Sequence, residues 1–150
     1  MSTTPFVIAD GAVTTFAGSG AAGSDDGVGA TASFEEPQGL AISAVGVLYV
    51  TEVGGHRVRM ISPAGVVTTL AGAGGWGFAD GAGAVARFCR PCGIAVNAAG
   101  TIFVADQGNH RIRCMRRMRW LPRSATKTAP SAATARPQGR KKSASAAGPP

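Results

Sequence analysis

The sequence predicts an all-β fold built from a tandem repeat, and three observations lead to this prediction. Glycine is abundant at 22 of 150 residues, about twice its usual share, whereas aromatic residues are few (six Phe, two Trp and one Tyr). Because glycine destabilises helix interiors, this composition disfavours a helical bundle. No apolar run approaches the roughly 20 residues of a membrane helix. Finally, residues 11–60 align with residues 65–114 without a gap, giving 24 identities in 50 positions at an offset of 54.

The strands follow from this repeat in chain order. Residues 12–17 are rich in β-branched side chains and predict a single strand before the first complete unit. That unit then holds four strand-like stretches separated by turn-forming residues, namely 39–43, 47–51, 57–61 and 66–71. The second unit supplies three more strands within 93–115. In the stretch 57–61, Arg57 and Arg59 alternate with apolar residues, which predicts that these arginines face solvent.

Four short antiparallel strands per unit are typical of a β-propeller blade. We therefore predict a partial β-propeller of about two four-stranded blades over residues 1–115, with units at about 11–64 and 65–115. The glycine-rich segments 18–33 and 72–87 would connect successive blades. Because two blades do not close a ring, open sheet edges would be available for self-association.

The recurrent motifs resemble the NHL repeat. In the second unit the resemblance rests on Pro91–Val96, Ile102–Asp106 and residues 109–113, whereas the first unit differs at Glu52 and Gly55. It implies a ring of about six blades, of which this chain would be a fragment, and a non-catalytic module for protein–protein interaction. Two alternatives stay open under the same resemblance, a metal-dependent lyase-like or lactonase-like enzyme and an RNA-binding module.

Several residues recur at fixed repeat positions, where one strand ends and the next begins. This structural repeat signature consists of Glu52, His56, Arg57, Asp106, Asn109, His110 and Arg111. A residue repeated in each blade serves the blade, whereas an active site needs one special constellation, so we predict no catalytic, metal-binding or cofactor-binding residues. The carboxylates are expected to accept hydrogen bonds from turn N–H groups or from the neighbouring guanidinium.

Three further features carry weaker functional signals. The Asp-Gly-x-Gly stretches at 26–29 and 80–83 favour tight turns between blades over calcium or dinucleotide loops. Cys89 and Cys92 have the spacing of a redox pair or half of a zinc site, but no second pair is present, and their function is left open. Trp76 and Phe78 have no aromatic counterpart in the first unit and are candidate loop contacts.

The net charge of +7 is concentrated at the C-terminal end. Residues 1–113 hold six Lys/Arg and eight Asp/Glu, whereas residues 114–150 hold nine Lys/Arg and no acid. The repeats are therefore slightly acidic, so nucleic acid is expected to bind only through the basic tail. Residues 116–150 are rich in Ala, Ser and Pro and are predicted to be disordered.

The repeat pattern breaks after Arg113, where the fourth strand of the second unit is expected. A disrupted reading frame is favoured there over a natural basic tail. No signal peptide or transmembrane segment is recognisable, so a cytoplasmic location with reduced cysteines is the default expectation.

Overall fold

The computed structural model describes residues 11–116, which form an all-β architecture. Their strands are β1 (Gly27–Val28), β2 (Pro37–Ile42), β3 (Leu48–Glu52), β4 (Arg57–Ile61), β5 (Val66–Ala71), β6 (Pro91–Val96), β7 (Ile102–Asp106) and β8 (Arg111–Met115). Two short 3-10 helices, Gly29–Thr31 and Gln107–Asn109, follow β1 and β7. Within this part of the chain, neither helix has the length that crossing a membrane would require. The predicted disordered tail lies almost entirely outside the described residues.

The strands form two antiparallel sheets, one for each repeat unit. Sheet 1 has the order β1-β5-β4-β3-β2, and sheet 2 has the order β6-β7-β8. The register is the same in both, since Leu48 pairs with Ile61 as Ile102 pairs with Met115. Each sheet also has a register irregularity just after the proline that begins β2 or β6, between residues 37 and 39 and between residues 91 and 93.

The predicted strands agree with β4 and β5 at both ends and with β2 and β3 to within one or two residues. The three strands predicted for the second unit are also present. The strand predicted at 12–17 is wrong, because this segment has no strand pairing and Val13 is 95 % exposed. A strand needs a hydrogen-bonding neighbour, and residues 11–116 contain no other strand of the blade to which 12–17 would belong. Instead, the short β1 pairs with β5.

The principal hydrophobic core lies between the two sheets. Sheet 1 contributes Tyr49, Val58 and Ala71, and the second unit contributes Phe88 and Val104, all of them buried. We call the side of sheet 1 that meets sheet 2 its trailing face, and the side of sheet 2 that meets sheet 1 its leading face. The opposite sides are the leading face of sheet 1 and the trailing face of sheet 2. A hydroxyl reinforces the contact, because Thr51 Oγ1 donates to the backbone carbonyl of Cys92 at 2.8 Å.

The leading face of sheet 1 is covered in part by its own glycine-rich segment. Ala32 from this segment is buried against Val50, Ile61 and Val67 of the sheet, and Phe34 packs beside them. Both faces of sheet 1 therefore bury side chains, as in an inner layer of a stack. This arrangement decides where the arginines of the third strand can go.

Candidate functional site

Arg59 on β4 is fully buried, which contradicts the prediction that the arginines of this strand face solvent. Its Nη1 donates to Oε1 of Glu52 at 3.0 Å and to the carbonyl of Ser33 at 2.9 Å. Its Nη2 donates to Oδ1 of Asp26 at 2.8 Å and to the carbonyl of Asp25 at 2.9 Å. The face expected to be solvated is instead covered by residues 25–34, and the paired, hydrogen-bonded charge ties this segment to the sheet.

The second unit repeats this network at the same offset of 54 residues. Nη1 of Arg113 donates to Oδ2 of Asp106 and to the carbonyl of Arg87, both at 2.9 Å. Its Nη2 donates to Oδ1 of Asp80 at 2.6 Å and to the carbonyl of Ala79 at 2.7 Å. From the sequence, the aspartates of the two Asp-Gly-x-Gly stretches were interpreted as turn residues and nothing more. Each is in fact the partner of a buried arginine, Asp26 of Arg59 and Asp80 of Arg113.

Sequence reasoning missed the role of these arginines and aspartates, although a signal was present. Arg59 and Arg113 recur at the same offset as Asp26 and Asp80. In the first unit, Gly27 of that motif is part of β1 and so belongs to a strand rather than only to a turn. A charged pair conserved in spacing across two units indicates a contact that each unit makes for itself.

The carboxylates that end β3 and β7 also bind turn N–H groups. Oε1 of Glu52 accepts from the backbone of Glu35 at 3.0 Å, and Oδ1 of Asp106 accepts from that of Cys89 at 2.8 Å. The guanidinium that pairs with Glu52 is Arg59, two residues beyond the expected Arg57. Burial raises the pKa of Glu52, against the opposing effect of the Glu35 hydrogen bond and the Arg59 charge.

The two units differ at these carboxylates in a coupled way. A Cβ added at Gly55 would lie 2.9 Å from Oε2 of Glu52, so the longer glutamate needs glycine there. In the second unit the shorter Asp106 leaves room for Asn109, whose Nδ2 donates to Oδ2 of Asp106 at 2.8 Å. The same Nδ2 donates to the carbonyl of Gly77, again at 2.8 Å. The two departures of the first unit from the NHL motif thus compensate each other.

The two histidines lie in equivalent turns, His56 between β3 and β4 and His110 between β7 and β8. His56 and His110 have left-handed backbones with φ of 52° and 53°. Nδ1 of His56 accepts from the backbone N–H of Arg90 at 3.0 Å. Arg57 and Arg111 follow them at the starts of β4 and β8. Across residues 11–116 no three His, Cys, Asp or Glu side chains are grouped as metal ligands would be.

The three cysteines do not pair with one another. Cys89 and Cys92 are half-buried, and Cys114 on β8 is exposed. Cys92 Sγ lies 3.7 Å from the carbonyl oxygen of Ala105, and Cys89 lies against Gly108. The first two thiols therefore face different backbone partners within the second unit.

The loop that carries Trp76 and Phe78 lies at the end of the sheets where β3 turns into β4. We call residues 73–78 the aromatic loop. The ring of Phe78 lies against its own unit, 4.1 Å from the guanidinium carbon of Arg111 and 4.8 Å from that of Arg113. Trp76, in contrast, is 76 % exposed. The structure therefore separates the two candidates, one packed on its blade and one facing solvent.

A shallow groove lies on the opposite side of sheet 1 from sheet 2. It has a volume of about 490 Å³ and is lined by Thr15, by the small residues 17–22, and by Phe34 and Pro37. These lining residues carry no ionisable side chain, and the groove therefore offers packing surface rather than acid–base chemistry.

Two antiparallel sheets stack face to face, and in each unit the same arginine–carboxylate network fastens the preceding loop to its sheet. These features define the class of this protein as a β-propeller repeat protein. The family model of the NHL repeat matches residues 88–115 of this chain. The first unit is the same repeat displaced by 54 residues.

Similar proteins extend well beyond this chain. Protein SUPPRESSOR OF QUENCHING 1, chloroplastic, of Arabidopsis thaliana is 38 % identical over 92 residues, which are 61 % of this chain and 9 % of the plant protein. Teneurin-4 of Homo sapiens is 33 % identical over 101 residues, 57 % of this chain and 4 % of that protein.

Among solved structures, an auxiliary nutrient binding protein from Bacteroides thetaiotaomicron has a TM-score of 0.57 and 31 % identity, over 63 % of this chain and 26 % of that one. This chain thus spans about a quarter of that structure and less than a tenth of the two relatives.

Proposed function

We propose that this chain is a non-catalytic propeller module that binds a protein partner through the aromatic loop. The observation that carries the proposal is the exposure of Trp76, 76 % of whose surface faces solvent on a loop held by the blade. The loop is anchored by the backbone N–H of Gly77, which donates to the Phe88 carbonyl at 3.0 Å, and by Asn109. Exposed tryptophan on a fixed backbone is a frequent anchor of protein interfaces.

The charge around this loop favours an acidic partner. Gly74 lies against the guanidinium of Arg57, and Gly75 and Gly77 lie against Arg87. Arg111 stacks on Phe78 at 4.1 Å. Within residues 11–116 the salt bridges involve only Arg59 and Arg113, so the three arginines around the loop carry no carboxylate partner there. Tryptophan among unpaired arginines suits an acidic segment of a protein.

The repeated networks support a binding role over catalysis. Oε1 of Glu52 accepts from both an arginine and a turn N–H group, and the two oxygens of Asp106 accept from one of these each, so these three atoms are already engaged in fastening a blade. Catalysis by either carboxylate would require it to give up a buried ion pair. The aromatic residues of the aromatic loop have no counterpart in the first unit, so this loop is the better candidate for a specific contact.

A peptide-display selection on the full chain tests the proposal. We expect acidic peptides to be enriched and Trp76→Ala to weaken their binding by about tenfold or more, as loss of an interface anchor does. Val45→Ala is the matched control, since Val45 is 69 % exposed on the β2–β3 turn at the other end of the sheet. Peptide binding that is equal in both variants would refute the proposal. So would tighter binding of single-stranded RNA homopolymers than of any selected peptide, if that binding also required Trp76.

A further inference from the structure

The outer edge of β8 differs from that of its counterpart in sheet 1. In sheet 1, β5 covers β4, pairing Arg59 with Thr69, Met60 with Thr68 and Ile61 with Val67. In sheet 2, β8 is the edge strand within residues 11–116. Among these described residues, no strand pairs with the backbone groups on its outer side, where the repeat places one.

Residues 13–17 of this same chain have the sequence of the strand in question. Val13-Thr14-Thr15-Phe16-Ala17 matches Val67-Thr68-Thr69-Leu70-Ala71 of β5. In the structure this segment belongs to no strand. It lies on the leading face of sheet 1, whereas β8 of the same chain lies beyond the trailing face. Gly18 donates to the carbonyl of Gly29 at 3.0 Å, and Ala17 packs on the leading face, which holds the segment beside sheet 1.

Two further differences between the units mark a site for a strand next to β8. Asp26 accepts from the hydroxyl of Thr69 on β5 at 3.0 Å and is 49 % exposed, whereas its counterpart Asp80 is 80 % exposed. Likewise, β1 pairs with β5, but the equivalent residues 81–82 form no strand. Both differences arise because no counterpart of β5 is present beside β8 among residues 11–116.

The apolar faces at the two ends of the molecule also match. Phe103 and Ile112 on the trailing face of sheet 2 are 39 % and 73 % exposed, although their counterparts Tyr49 and Val58 are buried between the sheets. Leu40, on the leading face of sheet 1, is 64 % exposed, although its counterpart Ile94 packs in the core. The contact between sheets 1 and 2 thus supplies a template for a contact between two chains.

We propose that this chain associates head to tail with a second copy, whose residues 13–17 add to β8 as its fourth strand. The new pair would have the register of β4 and β5, with β8 in the place of β4 and residues 13–17 in the place of β5. This register places Thr14 opposite Cys114 and Thr15 opposite Arg113. The Thr15 hydroxyl then reaches Asp80, as that of Thr69 reaches Asp26. The leading face of the second copy covers Phe103 and Ile112. Such a heterologous contact can continue from copy to copy or close into a ring.

Disulfide cross-linking tests this register. In the full chain with Cys89→Ser and Cys92→Ser, Thr14→Cys is expected to form disulfide-linked dimers and longer oligomers with Cys114 under mild oxidation. Directly opposed residues of antiparallel strands have the Cα separation that a disulfide requires. Thr15→Cys is the matched control, because its side chain points to the opposite face, and we expect roughly tenfold less cross-linking from it. Cys114→Ser should abolish the oligomers.

Equal cross-linking from positions 14 and 15 would overturn the proposal. So would dimers joined through Cys114 alone, which would indicate that two β8 edges pair with each other. A second measurement is the mass in solution, which should exceed that of a monomer and rise with concentration. Thr15→Pro should return it to a monomer with unchanged circular dichroism, because proline blocks strand addition in a segment that is not a strand in the single chain. A wild-type chain that is monomeric at all concentrations would also overturn the proposal.

Discussion

Arg59 donates to two carboxylates and two backbone carbonyls, which come from the end of β3 and from residues 25–33. The guanidinium therefore acts as a fixed junction between β4, the end of β3 and the loop before β2. Its Nε and Oε2 of Glu52 have no hydrogen-bond partner among the described residues, so the pair is not fully satisfied. For this reason the network matters more for positioning these segments than for any large net gain in stability.

Replacement of Arg59 tests this junction at the residue scale. Arg59→Met removes the guanidinium but keeps a long apolar side chain, and it leaves Glu52 buried without its counter-charge. We expect the free energy of unfolding to fall by about 3–5 kcal/mol, measured by urea denaturation. Arg57→Met is the control, because Arg57 is half-buried without a salt bridge to a described residue, and its loss should change stability by about 0.5 kcal/mol or less. Equal effects of the two variants would contradict the junction role.

The coupling between positions 52 and 55 can be measured with a double-mutant cycle. Glu52→Asp should lower stability by shortening the carboxylate, and Gly55→Asn should lower it because its Cβ would lie 2.9 Å from Oε2 of Glu52. The double variant restores the arrangement of Asp106 and Asn109, so we expect a favourable coupling energy of about 1–2 kcal/mol. Thermal or urea unfolding of the four proteins gives this energy. Additive effects would show that the two units differ at these positions independently.

At the scale of elements, the repeat made most strands predictable because each unit carries the same alternation of apolar and turn residues. The prediction of a strand at 12–17 was wrong because strand propensity alone supplies no pairing partner. The prediction that the arginines of β4 face solvent was wrong for a related reason. Alternation separates two faces of a strand but does not say which face is covered, and residues 25–34 cover the one that carries Arg59. The partner could be inferred only from the matching offsets of Asp26 and Asp80.

The hydroxyl of Thr51 on β3 links β2 of sheet 1 to β6 of sheet 2. Thr51 Oγ1 accepts from the N–H of Gly39 at 2.9 Å and donates to the carbonyl of Cys92 at 2.8 Å. Its counterpart in the second unit is Ala105, on the sheet that meets no further sheet among residues 11–116. The threonine is therefore tied to the presence of a following blade rather than to the repeat itself.

Thr51→Val, which preserves size and removes the hydroxyl, tests this contact. Two half-buried backbone groups, the N–H of Gly39 and the carbonyl of Cys92, lose their partner, so we expect a loss of about 1–2 kcal/mol in unfolding free energy by urea titration. Thr68→Val is a suitable comparison, because Thr68 is half-buried on β5 and its hydroxyl makes no hydrogen bond to described residues. A loss from Thr51→Val no larger than that from Thr68→Val would show that side-chain packing alone holds the two strands together.

At the scale of the whole molecule, stacking determines which residues are core. Phe34 and Phe88 occupy the same repeat position, yet Phe88 is 1 % exposed between the two sheets, whereas Phe34 is half-buried with only sheet 1 beside it. The same residue type thus has a different energetic role according to whether a neighbouring sheet lies against it. In stacked repeats, each interface contributes to the stability of both units that form it.

Substitution of these two phenylalanines distinguishes a shared core from two independent sheets. Phe88→Ala should lower stability by about 3–5 kcal/mol and should accelerate amide hydrogen exchange in β3 and β4 as well as in β6 and β7, since its ring packs against both sheets. Phe34→Ala should cost less and should accelerate exchange mainly within sheet 1, because its cluster contains no residue of sheet 2. If Phe88→Ala accelerated exchange only in β6–β8, sheet 1 would be stable without its neighbour. A head-to-tail assembly would then rest on strand addition more than on the apolar faces.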